Sequence, residues 1–250
     1  MPTYGKGLRV LSILTLATVT LALVLVFFYA PLDADQGFIQ KIFYIHVPLA
    51  IVTLCGFIAA GLMAIAHLRT RDPRWDMRSY VAIHISLILA VGALITGSIW
   101  AKGSWGHWWV WSEPTLVSFL LIMLLYATYQ PLRFAIEDPE RQARAASVFA
   151  ITAGVFVPIN FAIVRLSTAY VHPRTLSNIS GNLPGRMQVV FYLALVSIAL
   201  LWVTLWRYEM ASKHARAQLR TLRRLLSGEE DASARRSAAP TMSHAGGGSH

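Results

Sequence analysis

Six stretches of the chain carry no Asp, Glu, Lys or Arg: Val10–Ala30, Ile45–Ala66, Val81–Ala101, Leu116–Leu132, Ala146–Val164 and Val189–Trp206. A helix that crosses the hydrocarbon core of a bilayer needs about 20 mostly apolar residues, and each stretch is close to that length. The pattern predicts an all-α, polytopic membrane protein with six transmembrane helices and short loops. Residues 1–207 form the membrane domain, and 208–250 form a basic tail. Lys6 and Arg9 give the first stretch a basic start like that of a signal peptide. Its apolar run exceeds the 7–15 residues usual for such a segment, so it reads as a retained anchor.

Composition agrees. Of 250 residues, 56% are hydrophobic and 14% charged, with a mean hydropathy of +0.53. A soluble domain has about 25% charged and about 45–50% apolar residues. A disordered chain, which needs low hydrophobicity, is excluded, and an ordinary soluble enzyme is disfavoured. The formal charge of +10 is unevenly placed. Seventeen Lys and Arg fall in the N-terminal segment, the loops after the second and fourth stretches and the tail, against five in the other connections. Basic residues mark cytoplasmic loops, and an even number of spans puts both termini on one side, so both are expected in the cytoplasm. The excess charge is then a topology signal, which leaves nucleic-acid binding without its main support.

The single cysteine, Cys55, excludes an internal disulfide and a Cys-rich metal site; it reads as a small core residue. In the tail, Glu209–Leu226 reads as a basic, partly amphipathic helix with Leu219, Leu222 and Leu226 on one side. Such a helix suits anionic lipid or a cytoplasmic partner. From Ser227 the composition turns to Ser, Ala and Gly, which predicts disorder.

The three connections assigned outside, 31–44, 102–115 and 165–188, each hold unusual chemistry. In and around the middle one, Trp100, Trp105, Trp108, Trp109 and Trp111 place five of the eight tryptophans within twelve positions. An interfacial aromatic belt is one reading. A flat platform for a large planar apolar ligand is the other, with Gly103 and Gly106 allowing tight turns. His46 opens the second span, with Pro48 expected in the first helical turn, where a missing N–H costs little. His172 lies in the third connection. A lone interfacial histidine is ordinarily just hydrated. Two facing one compartment beside a tryptophan loop are a candidate metal-ligand pair. They make a poor closed zinc site, which wants four ligands. They suit the axial positions of an iron whose other four ligands come from a porphyrin. Lys41, Lys102, Arg165, Arg174 and Arg186 lie where haem propionates would meet them, although Arg165 also reads as a snorkelling end residue. His107 could supplement such a site. His67 and His84 read as packed or hydrogen-bonded, and His214, His244 and His250 as inert. Asp33, Asp35 and Glu113 are too dispersed for hydrolytic chemistry, and no conventional catalytic set appears.

Trp105-Gly-His-Trp108-Trp109-Val-Trp111 resembles the tryptophan-rich signature of haem-handling membrane proteins. With Tyr44-Ile-His46-Val-Pro48 and six spans, residues 8–207 resemble the heme exporter protein C family of the system I cytochrome c maturation pathway. The resemblance implies haem b bound as the transported substrate, its iron between His46 and His172. Its plane would lie against Trp105, Gly106, Trp108, Trp109 and Trp111. It further implies delivery to a periplasmic haem chaperone, assisted by ABC transporter subunits and a small membrane subunit. ATP hydrolysis there would release the loaded chaperone. The location implied is the bacterial cytoplasmic (inner) membrane, with the working face periplasmic. One departure stands out: the family usually has an acidic residue directly after the last Trp, whereas Ser112 stands here and Glu113 follows. Either Glu113 fills that place with a local shift, or the carboxylate is dispensable. The basic residue expected next is replaced by Pro114 and Thr115. The alternatives are a haem-free transporter or scaffold subunit, for which Pro158 and Asn160 would mark a broken helix, and an electron-transfer cytochrome with haem held between span histidines.

Overall fold

A computed structural model describes residues 5–167, 172, 183 and 185–238, with side-chain surroundings given as far as 228. Seven α-helices occur among the described residues: α1 (Lys6–Phe28), α2 (Phe43–Thr70), α3 (Pro73–Trp105), α4 (Pro114–Ala127), α5 (Tyr129–Phe134), α6 (Pro139–Leu166) and α7 (Gly185–Ala238). A 3₁₀ turn, Phe38–Ile42, leads into α2. Six helical units are long and apolar enough to cross a membrane, α4 and α5 together forming one of them. Their order is the one the charge-free stretches predict. Leucines such as Leu16, Leu62 and Leu166 stand exposed on the outside of the bundle, as lipid contact requires. Cys55 is exposed as well, not in the core as expected. A thiol is weakly polar, so facing lipid costs it little.

The helix starts are written locally. Three helices begin with an acidic residue followed by proline: Asp72-Pro73, Glu113-Pro114 and Asp138-Pro139. The carboxylate caps an orphan N–H and the proline sits where no donor is needed. Asp72 Oδ1 accepts from the Arg74 N–H at 2.9 Å. That backbone bond, followed by the bond from the Arg74 side chain, holds the Asp72 carboxyl below the usual range. Asp138 Oδ1 accepts from the Arg141 N–H at 2.7 Å. At the other end, α3 stops at Gly106, whose φ of 77° is the left-handed conformation that closes a helix.

Two sequence expectations change at helix ends. Pro48 lies in the second turn of α2, because the helix already begins at Phe43. Its missing N–H therefore falls on the carbonyl of Tyr44. Lys41 is buried, and its Nζ donates to the carbonyls of Val26 (2.7 Å) and Ala30 (2.8 Å), closing the C-terminus of α1. It is committed to the fold and is not a propionate partner.

Helix α2 packs against both α3 and α6. At the α2–α6 crossing, Phe57, Ala60, Gly61 and Ala64 meet Ala146, Ala150, Ala153, Gly154 and Val157, most of them fully buried. Small residues let two backbones approach, which is how helices associate where no hydrophobic force separates protein from lipid. A Cβ added at Gly154 would lie 3.3 Å from Gly61 Cα and 3.6 Å from the Phe57 carbonyl oxygen. Both neighbours are backbone and cannot rotate away. Gly154→Leu is therefore expected to destabilise the bundle by about 1–3 kcal/mol, as overpacking does. Thermal unfolding in detergent measures it, and an unchanged midpoint would contradict the tight crossing.

Further pairs join the remaining helices. Thr15 Oγ1 and Thr204 Oγ1 are 2.7 Å apart, and Trp202 Nε1 donates to Ser86 Oγ at 3.0 Å. His67 Nδ1 meets Ser147 Oγ at 2.8 Å, and the Gln130 amide donates to His84 Nδ1 at 3.0 Å. Both histidines are packed and bonded, as the sequence suggests. Arg133, counted above as a loop charge, is buried against Asp76 instead.

The described residues divide into a unit of 5–210 and a second unit of 211–238. In the second unit the helix continues to Ala238, past Ser227. Leu219, Leu222, Leu225 and Leu226 are exposed. Residues 239–250, including His244 and His250, lie outside the described residues.

Candidate functional site

A cavity of about 470 Å³ opens between α2, α3, α4 and α6, within the range usual for small-molecule sites. It is lined by both His46 and His172, and by Trp105 and Trp109 of the tryptophan segment. Its walls are otherwise mostly apolar, including Ile51, Leu94, Phe119 and Phe161. Along α2 the lining runs from His46 to Leu54, eight residues or about 12 Å of helix rise. The site is therefore a slot sunk into the bundle beneath the tryptophans.

His46 is seated by its neighbours. Its Nδ1 lies 2.9 Å from the carbonyl oxygen of Ala93. A carbonyl only accepts, so Nδ1 carries the proton and Nε2 is left as the basic nitrogen. This is the arrangement that fixes the tautomer of a metal-binding histidine. Thr96 Oγ1 is 3.3 Å from the same Nδ1, while its own hydrogen bonds run to Gly92 and Ala93. The ring lies edge-on to Trp100 at 5.8 Å. It also lies directly over Gly97, where a Cβ would come within 2.7 Å of His46 Cε1.

His172 is half-buried and lies outside any helix. Its ring is edge-on to Trp105 at 6.2 Å, and its backbone N–H donates to Glu113 Oε2 at 3.2 Å.

The tryptophans divide. Trp100 and Trp105 both belong to α3, so the irregular segment is shorter than the connection 102–115 read from the sequence. Trp100 Nε1 donates to Gln36 Oε1 at 2.7 Å, which pins it against the preceding connection. Trp109 lines the cavity, and its buried Nε1 has no hydrogen-bond acceptor among the described residues. Trp108 and Trp111 are exposed, and the Trp109 and Trp111 rings meet edge to face at 66°. Gly106 shapes the turn and does not line the cavity. His107 is exposed and is not among the lining residues.

Of the five expected cations, Arg165 alone lines the cavity among the described residues, beside Phe161 and Asn160. Lys102 Nζ donates to the Gly106 carbonyl at 2.8 Å, and the Arg186 guanidinium lies over Tyr29 at 4.4 Å. Arg174 lies outside the described residues. Helix α6 runs unbroken through Pro158. Sequence reasoning missed Gly97 and Ala93, which seat His46. It also left open the place of Glu113, now found fully buried at the start of α4. The run Thr96-Gly97-Ser98 is the one signal that could have drawn notice to the first pair.

No group of three His, Cys, Asp or Glu that could hold a bare metal ion occurs among the described residues. Two histidines facing one apolar slot suit a metal that arrives with an equatorial ligand set of its own. The fold and site thus define a six-span helical membrane protein with a two-histidine, tryptophan-roofed cavity. The family model for heme exporter protein C matches residues 1–225, and the chain belongs to that family. It is 33% identical over 221 residues to heme exporter protein C of Bradyrhizobium diazoefficiens, covering 86% of this chain and 82% of that protein. It is 29% identical over 200 residues to the Paracoccus denitrificans protein of the same name, covering 78% and 81%. With that of Escherichia coli K12 it shares 31% over 149 residues, 60% of each chain.

Proposed function

We propose that this protein holds haem, its transported substrate, in the cavity between α2, α3, α4 and α6 and hands it to a periplasmic haem chaperone during c-type cytochrome assembly. The observation that carries this reading is the 2.9 Å contact of His46 Nδ1 with the Ala93 carbonyl oxygen, which leaves Nε2 available in a slot that His172 also lines. His46 and His172 supply the two axial nitrogens to the iron. The apolar slot takes the macrocycle, with Trp105 and Trp109 against it. Arg165 and the Trp109 N–H offer a cation and a donor to the propionates. Haem b suits such a site, because two neutral imidazoles and apolar contacts hold it without covalent attachment. Trp108 and Trp111 are exposed, which supports assigning them to contact with the chaperone. The family name and the basic bias of the opposite loops support a site on the periplasmic side of the cytoplasmic membrane, working with ABC transporter subunits and a small membrane subunit. A cytochrome that keeps its haem between two span histidines is disfavoured, since His172 belongs to a connection and not to a helix.

The test is a titration of the detergent-solubilised chain with ferric haem. Wild type is expected to give the Soret band of a low-spin, bis-histidine complex. His46→Ala and His172→Ala are each expected to weaken or shift that band toward high spin. Identical spectra from all three chains would overturn the assignment.

A further inference from the structure

Glu113 is 0% exposed, although it stands in the segment joining α3 to α4 and carries a carboxylate. The other two acidic N-caps differ: Asp72 and Asp138 cap their helices through bonds at exposed sites. A cap alone does not call for burial. Burying a carboxylate is unfavourable unless hydrogen bonds and nearby positive potential compensate. Glu113 finds both. Oε1 accepts from the Thr115 N–H at 3.4 Å, at the positive end of the α4 dipole. Oε2 accepts from the backbone N–H of His172 at 3.2 Å, a residue 59 positions away. One side chain thus ties the backbone of His172 to the helix that forms a wall of the cavity.

We propose that Glu113 is a positioning residue for haem ligation: its carboxylate anchors the backbone of His172 so that the imidazole is held beside Trp105 at the cavity. His172 has no helix of its own to fix it, whereas His46 is fixed by α2 and by the Ala93 carbonyl. The inference rests on the haem reading above and adds a division of labour. One ligand is set by a rigid helix. The other is set by a buried carboxylate at the end of the tryptophan segment. With the carboxylate at position 113, the cap of α4 and the anchor of His172 are the same group.

The experiment uses the full chain in detergent, ferric haem as the probe, and wild type, Glu113→Ala, Glu113→Gln, His172→Ala and the Glu113→Ala/His172→Ala double variant. Glu113→Ala is expected to lower haem affinity by about 10–100-fold, the usual effect of losing a group that orients a metal ligand, and to shift the spectrum from low toward high spin. Added imidazole restores the low-spin band in Glu113→Ala, as it does in His172→Ala. In the double variant the glutamate replacement adds nothing to the loss from His172→Ala, because the two act through one ligand. Glu113→Gln keeps the bulk and one acceptor oxygen, and shows a mixed spin state. If Glu113→Ala does not fold, this variant decides the question, and a fully low-spin spectrum overturns the proposal. A low-spin Glu113→Ala of unchanged affinity also overturns it, as does a loss that adds in full to that of His172→Ala. If wild type itself gives no bis-histidine spectrum, the haem reading falls instead.

Discussion

Asp76→Ala is expected to destabilise the bundle by about 3–5 kcal/mol, the cost of stranding one member of a buried ion pair. Arg133 Nη1 and Nη2 grip the two oxygens of Asp76 at 2.7 and 2.6 Å, and Nη1 also donates to the Tyr129 hydroxyl at 3.2 Å. The guanidinium lies 5.1 Å from the centre of the Tyr80 ring. Both charged side chains are 9% exposed. Once Asp76 is gone, the guanidinium, which cannot lose its proton, is left beside Tyr80 and Tyr129 without a counter-charge. Replacing both members by apolar residues of similar size, Asp76→Leu with Arg133→Met, removes the charge together with its partner. That pair is expected to cost far less than either single change, because desolvation offsets much of what a buried pair gains. Chemical or thermal unfolding in detergent of the two singles and the double separates these outcomes. A double variant as unstable as Asp76→Ala would show that the bonds, not the stranded charge, carry the effect. Haem binding in the double variant is expected to be intact. Asp76 sits 21 residues before Gly97 on the same helix, about 32 Å away along its axis.

The six spans were legible because lipid enforces a simple rule: a stretch that leaves no charge for about 20 residues must be a helix with every backbone bond made within it. The helix ends were less so. The cluster of glycine and tryptophan around Trp105 predicts a loop, yet α3 holds on until Gly106 supplies a positive φ. Lys41 and Arg133 read as loop charges in the sequence, but tertiary partners claim them: the carbonyls closing α1 for one, Asp76 for the other. Neither partner is visible in local sequence, since Arg133 and Asp76 are 57 positions apart. The site divides in the same way. The residue types that bind metals and planar ligands, His46, His172 and the tryptophans, announce themselves by chemistry. The groups that aim them do not. A carbonyl at Ala93 and an absent side chain at Gly97 leave no mark beyond the short run Thr96-Gly97-Ser98, and Glu113 looks like any helix cap until its second oxygen is followed to His172.

If His46 ligates the iron as proposed, Gly97→Val is expected to weaken the low-spin haem band as fully as His46→Ala does, without replacing the histidine. A Cβ at position 97 would stand 2.7 Å from His46 Cε1 and 3.1 Å from Nδ1. The ring cannot keep its place, and the only escape is rotation away from the Ala93 carbonyl that holds its tautomer. Gly97→Ala meets the same contact with one methyl and is expected to lose haem affinity by about 10–100-fold, the scale of effect when a ligand's orienting contacts are broken. The backbone argues the other way about stability. Alanine is favoured over glycine inside a helix by about 1 kcal/mol, so this variant should unfold no earlier than wild type while binding haem more weakly. That opposition makes the result diagnostic, because general damage to the bundle would lower both. Gly92→Ala is the control: a Cβ there meets only Leu49 Cδ1, at 3.6 Å, an ordinary contact that leaves the His46 ring untouched. It gains the same helix propensity and should leave the Soret band unchanged. Wild-type spectra from Gly97→Val would mean that the iron does not depend on the seat of His46, and the ligand assignment would have to move elsewhere.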